Sequence, residues 1–354
     1  MRFSSLRSRD FRLLIAGQAV SLTGSSMQQV AVVWQLYLLT GSPLSLGMLG
    51  LFRVTPILLL ALGGGVASAF DPPARQALVT QLVPVDALPN AFSLYMTAYQ
   101  IAAVAGPALG GAFLAWKGVE PIYLLDVISY LAVIVALLAM EHKAPTRGLS
   151  QMSAAAALEG LRFLKRSPII LSTMLLDFFA TFLAGSLLLL PFFADQLLKV
   201  GPRGLGVLYA AQPLGATVAG VALSFLPTIR RQGRAIVVSV ALYGVAIAVF
   251  GVSNWFPLSL FALAASGAAD TVSAVMRQTV RQLLTPDELR GRMTSVNMMF
   301  FIGGPQLGEV EAGVVAKLAG VRFSVWSGGA LCVLAAIAAA AVVPSLRGYE
   351  HGDS

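Results

Sequence analysis

Charged side chains are scarce: Asp, Glu, Lys and Arg together make up 11% of the 354 residues. A soluble globular chain carries about 25%. Too few are present to coat a water-facing surface, which excludes an ordinary soluble protein. Cysteine occurs once, as Cys332 in an apolar stretch, so an intrachain disulfide and a cysteine-based metal cluster are excluded. The two histidines, His142 and His351, lie outside the apolar runs. No His/Asp/Glu cluster has metal spacing and no nucleophile–base set stands out, so the reading is of a non-enzyme without cofactor or metal. A GxxxxGK[ST] phosphate loop is missing as well, and with it any sign of an ATPase. Short alternating segments are lacking, which argues against a membrane β-barrel.

What is present is apolar length. Hydrophobic residues make up 57% of the chain, and mean hydropathy is +0.80. They cluster in continuous runs, as from Ile236 to Phe250. A helix needs about 20 residues to cross the hydrocarbon layer, and the runs predict an all-α polytopic membrane protein. Ten spans are expected, at 13–39, 46–69, 91–115, 121–139, 168–193, 204–226, 235–252, 255–275, 293–317 and 322–343. The basic N-terminus MRFSSLRSRDFR imitates a signal sequence, but no small-x-small cleavage site follows, and it reads as the lead into the first span.

The excess of 24 basic over 16 acidic residues gives a net charge of +8. These charges fall mostly between apolar runs, which indicates membrane topology rather than nucleic-acid binding. With the N-terminus inside, eighteen basic residues lie in inner segments and five in outer ones, so both termini are expected in the cytoplasm. The expected organisation is an N-terminal bundle at 1–140, a cytoplasmic linker at 141–167, a six-helix bundle at 168–346 and a tail at 347–354. The linker segment LEGLRFLKRSP predicts an amphipathic interfacial helix.

The two halves repeat one another. Arg75-Gln76-Ala77-Leu78 leads to Pro84, and Arg277-Gln278-Thr279-Val280 leads to Pro286. Each is followed by a helix with a glycine–proline motif, GPALGG at 106–111 and GGPQLGE at 303–309. Such a parallel repeat implies two bundles related by an axis along the membrane normal.

With DFRLLIAGQAVSLTGSSMQQVAVVWQLYLLTGSPLSLG, FDPPARQALVTQLVPVDALPNA, AGPALGG and RQTVRQLLTPDELRGRMTSVNMMFFIGGPQLGE, the chain resembles the major facilitator superfamily. Within it, the likeness is to bacterial exporters similar to the enterobactin exporter. The resemblance implies a two-bundle transporter in the bacterial inner membrane, usually monomeric. It further implies proton-driven efflux of amphipathic small molecules of the siderophore, macrolide or drug class. The partners expected are such a substrate, protons and membrane lipids, and no nucleic acid. An importer of the same fold and a non-transporting membrane protein, either an interaction subunit or a remnant, are the alternatives. The departure from the family lies at ALGGGVASAFDPPARQ, where the end of family helix two runs straight into the end of helix four. About 55 residues, helix three and most of helix four, are missing by the usual dimensions.

Charges inside hydrocarbon cost about 2.5–3.5 kcal/mol each on insertion scales, so each intramembrane charge is a candidate for coupling or transport. Asp177 leads, in STMLLDFFATFLAG, as a carboxylate able to load and release a proton. Arg53 is the expected cation; Glu309 with Gln306, Asp126 and Asp270 are further candidates. Asp270 has Arg277 and Arg281 close by in sequence, where an inner gating salt bridge is one reading. Gly106, Pro107, Gly110 and Gly111, and in the second half Gly304, Pro305 and Gly308, are expected to let helices approach and slide. Arg230, Arg231 and Arg234, with Arg277 and Arg281, are read as inner-loop positions. Trp34, Tyr37, Phe178, Phe179, Phe182, Tyr209 and Phe301 could line a pocket or simply pack.

Overall fold

A computed structural model describes residues 4–49, 82–84, 87–140, 164, 167–185, 187–226, 229–286 and 289–349. The regular elements among them are helical. They are α1 (Arg9–Thr40), α2 (Leu88–Lys117), α3 (Glu120–Leu138), α4 (Pro168–Leu183), α5 (Gly201–Phe225), α6 (Gln232–Val252), α7 (Phe256–Leu284), α8 (Arg290–Ala319), α9 (Val321–Val342) and the short α10 (Pro344–Gly348). After α4 the chain winds tightly, through a 3-10 turn at Leu187–Leu189 and a π-helical turn at Phe193–Leu197.

The helix ends follow from local chemistry. Gly118 adopts φ 79° and Gly320 φ 95°, backbone conformations an L side chain rarely tolerates, and each stops a helix. Proline occupies the first turn of α2, α3, α4 and α7, where its missing N–H has no intrahelical partner to lose. Pro107, Pro213 and Pro305 lie inside α2, α5 and α8, each deleting one backbone bond of its helix.

Seven helices among the described residues are long and apolar enough to cross a membrane, fewer than the ten spans expected. Two of the expected spans are too polar to qualify, and a third lies outside the described residues. Helices α1, with 32 residues, and α8, with 30, have the length. They are diluted by polar side chains such as Gln18, Gln28 and Gln29 in α1 and Gln306, Glu309 and Glu311 in α8. The expected span 46–69 lies outside the described residues beyond a helical start at 43–49. The junction at 61–75, Arg53 and most of the linker with its amphipathic helix also lie outside them.

The chain divides into two compact units. The first comprises Met1–Leu39, Phe52–Leu149 and Lys199–Ala210; the second comprises Thr40–Leu51, Ser150–Leu198 and Ala211–Ser354. In the first, Phe11 and Leu14 of α1 bury against Leu82, Val83, Ala87 and Ala91. In the second, Ile170 and Met174 of α4 bury against Leu164 and against Met293 and Val296 of α8. Large apolar side chains also point outward, among them Val135 at 63% and Leu138 at 81% exposed on α3. A water-soluble fold would not present such a stripe, whereas hydrocarbon solvates it.

The glycine motifs act as seats. In the first unit, a Cβ on Gly106 would lie 2.5 Å from Ser26 Cβ, and one on Gly110 would lie 3.0 Å from Met27 Cα, so α2 carries α1 at backbone distance. In the second unit, a Cβ on Gly304 would lie 2.5 Å from Thr181 Oγ1, and one on Gly308 would lie 2.8 Å from Phe182 Cα, so α8 carries α4. The repeated sequence motif therefore performs the same packing task in both units. Each unit has a further glycine–glycine approach. A Cβ on Gly111 would stand 2.7 Å from Gly206 Cα, and one on Gly47 would stand 2.8 Å from Gly313 Cα. Small residues at such positions let helices pack where lipid offers no hydrophobic driving force.

Candidate functional site: a buried ion-pair cluster

Asp270, Ser273, Arg277 and Arg281 recur on α7 at intervals of three, four and four residues. At 3.6 residues per turn this spacing places them on one stripe of the helix. Opposite that stripe stands Asp177 of α4, which is 9% exposed as a residue. Arg277 Nη2 lies 2.7 Å from Asp177 Oδ1, and the two side chains are 11% and 12% exposed. The same nitrogen lies 3.9 Å from Asp270 Oδ1, whose side chain is 47% exposed. Arg277 Nη1 donates to Ser273 Oγ at 2.7 Å, and the Arg281 guanidinium donates to Gln278 Oε1.

One guanidinium thus stands between two carboxylates, tightly on the buried one and loosely on the open one. A buried pair of this kind is held together by mutual neutralisation, and removal of one partner leaves an unmatched charge that costs about 3–5 kcal/mol. Ser273 fixes the arginine rotamer, and no sequence motif had pointed to it. The spacing of Asp270, Ser273 and Arg277 along one face was the available signal. Arg277 and Arg281, expected in an inner loop, lie within the last turns of α7. The helix runs on to Leu284, past the expected end at 275.

Aromatic rings continue from Asp177. Phe178 stacks on Phe182 at 6.0 Å between ring centroids and meets Phe300 edge-on at 6.1 Å. These rings face the glycine seat on α8 and serve packing. Trp34 and Tyr37, each 6% exposed, likewise pack on one another at 5.4 Å. Gln306 and Glu309 are half-buried on α8, and the Glu309 backbone carbonyl lies 2.6 Å from where a Cβ on Gly47 would stand. Arg230, Arg231 and Arg234 are exposed around the start of α6.

Asp126 has different company. It is 3% exposed, on α3 of the first unit. Ser25 of α1 donates to its Oδ1 at 3.3 Å, and Ser129 Oγ donates to its backbone carbonyl at 2.7 Å. Gly24 makes the close approach possible, since a Cβ there would fall 2.9 Å from Ser129 Cβ. A second polar tie joins the same helices, with Tyr123 Oη donating to Gln35 Oε1 at 2.5 Å. Among the described residues no lysine or arginine contacts Asp126.

Apolar outer faces, glycine-seated helices and a repeated two-helix packing motif define a multi-pass helical membrane protein. The profile of the transmembrane secretion effector family matches residues 35–353, and the chain belongs to that family. It is 28% identical over 257 residues to the enterobactin exporter EntS of Shigella boydii serotype 18, a match covering 73% of this chain and 62% of that protein. The chain therefore spans less than two thirds of that relative. The serotype 4 protein is 26% identical over 317 residues, covering 84% and 76%. Among solved structures, a bacterial homologue of the human lysosomal transporter spinster, inward-facing and occupied, superposes with TM-score 0.65 at 16% identity, covering 96% of this chain and 98% of that one. A bacterial homologue of the iron transporter ferroportin, inward-facing, gives 0.69 at 13% identity, covering 94% and 98%. These likenesses establish the fold and, with the family, a multi-pass bacterial inner-membrane protein.

Proposed function

We propose that the protein is a secondary transporter that exports amphipathic small molecules in exchange for protons, with both termini in the cytoplasm and ten crossings. The observation that carries this reading is the Arg277 guanidinium, held 2.7 Å from buried Asp177 and 3.9 Å from half-exposed Asp270. A proton taken up by Asp177 removes the charge that holds Arg277. The arginine then turns toward Asp270, which is already within reach on its own helix. Loss of the proton restores the first pairing. Proton binding is thereby converted into a change in which helix holds the guanidinium, and α4 and α7 are uncoupled or coupled accordingly. The relative's printed substrate, enterobactin, fits the amphipathic class.

The test is accumulation of labelled enterobactin, and of ethidium as a second probe, in inverted membrane vesicles energised by respiration. Accumulation abolished by a protonophore and by Asp177→Asn supports proton-coupled export. Accumulation that survives either treatment overturns it. Crossing number is tested separately, by membrane-side labelling of single cysteines placed in the gaps between spans of a Cys332→Ser chain. Ten crossings require the gaps at 41–43 and 118–120 to be labelled from outside and the exposed position 230 from inside.

A further inference from the structure

On the side of α7 away from the ion-pair stripe, an apolar groove of about 540 Å³ opens between α6 and α7. Its wall includes Leu242, Val245 and Val249 from α6 and Phe261, Ala265 and Val272 from α7. Leu242 is 55% and Phe261 72% exposed, so the groove opens to the hydrocarbon. On α6 the lining runs from Ser239 to Val249, which at 1.5 Å per residue is about 15 Å, the depth of one leaflet.

One end of the groove is polar. Ser239 lines it and is 6% exposed; its hydroxyl forms no hydrogen bond among the described residues. Five residues earlier, about 7.5 Å along the axis, stands Arg234, exposed on the ridge that continues through Val238, Leu242 and Val245. Arg230 is exposed beside it. Among the described residues neither arginine has an acidic partner. The order along the α6 axis is therefore cationic, then hydroxyl, then apolar over about 15 Å.

We propose that this groove is a binding site for one anionic glycerophospholipid. One acyl chain fills the space between α6 and α7, the ester region faces the Ser239 hydroxyl, and the phosphate lies against Arg234 and Arg230. The chemistry selects charge at one end and chain at the other, which a free phosphate or a detergent tail alone does not satisfy.

The full chain, purified in mild detergent and exchanged with vesicles of equal phosphatidylglycerol and phosphatidylcholine, is examined by native mass spectrometry. Retention of phosphatidylglycerol in preference to phosphatidylcholine is expected. The preference should fall roughly fivefold for each arginine removed in Arg230→Gln and Arg234→Gln, the size of one basic contact to an anionic surface. Ala265→Phe, which fills the groove, should reduce retention of both lipids. Ser239→Ala serves as a milder probe whose fold is checked by melting. Equal retention of the two lipids, or retention unchanged by both the arginine and the groove substitutions, overturns the proposal.

Discussion

Each compact unit holds a buried carboxylate, and the two are treated differently. Asp177 faces a guanidinium that has a second carboxylate in reach. Asp126 faces hydroxyls across a glycine contact. A charge pair in a low-dielectric setting has two arrangements that differ by where the cation rests. A hydroxyl-bonded carboxylate between two closely seated helices has one. The difference teaches that burial of an acid does not by itself mark a moving part. The partner's freedom to change allegiance does.

The sharpest way to break the contrast is to remove the shared cation. Arg277→Met leaves Asp177 buried and unmatched, and a loss of about 3–5 kcal/mol is expected, read as a lowered melting temperature in detergent. Adding Asp177→Leu should recover most of that loss, because a fully apolar replacement leaves no charge stranded. The next effect is functional. Asp177→Asn keeps size and hydrogen bonding, so the protein should fold, while pH-gradient-driven accumulation in inverted vesicles falls by tenfold or more, about 1.4 kcal/mol of lost coupling. In the first unit, Gly24→Val pushes a side chain into Ser129 and should cost about 1–3 kcal/mol by overpacking. The smallest effect is expected from Asp126→Asn. Its hydroxyl partners serve an amide as well, so the change should stay within about 1 kcal/mol and leave the pH dependence of accumulation unaltered. A pH response lost in Asp126→Asn would erase the distinction between the units.

Much of the fold could be read from residue order. The apolar runs mark most of the helices, and the expected gaps at 116–120 and 318–321 contain the breaks between α2 and α3 and between α8 and α9. The repeat of GPALGG and GGPQLGE was legible as a repeat, and the structure gives it a task, the seating of α1 on α2 and of α4 on α8. Helices α1 and α8 were read as spans although their polar content sets them apart from the seven most apolar helices. Asp177 and Asp270 stood out because charge is costly in hydrocarbon. The nearness of Asp270 to Arg277 was legible from their spacing, but the link from Asp177 to Arg277 was not, because residues 177 and 277 meet only through tertiary packing. Arg277 also sits beyond the apolar run, where a basic residue reads as topology. Ser273 was invisible for a plainer reason, since a serine in an apolar helix most often bonds its own backbone, as Ser266 does to Leu263.

Infrared difference spectroscopy of the purified chain between acidic and alkaline buffer reads the protonation of Asp177 without a substrate. Among the protonated-carboxyl C=O bands that appear on acidification, one component is expected to persist in Asp126→Asn and to be lost in Asp177→Asn. The same bands, all unchanged in Asp177→Asn, would contradict the account.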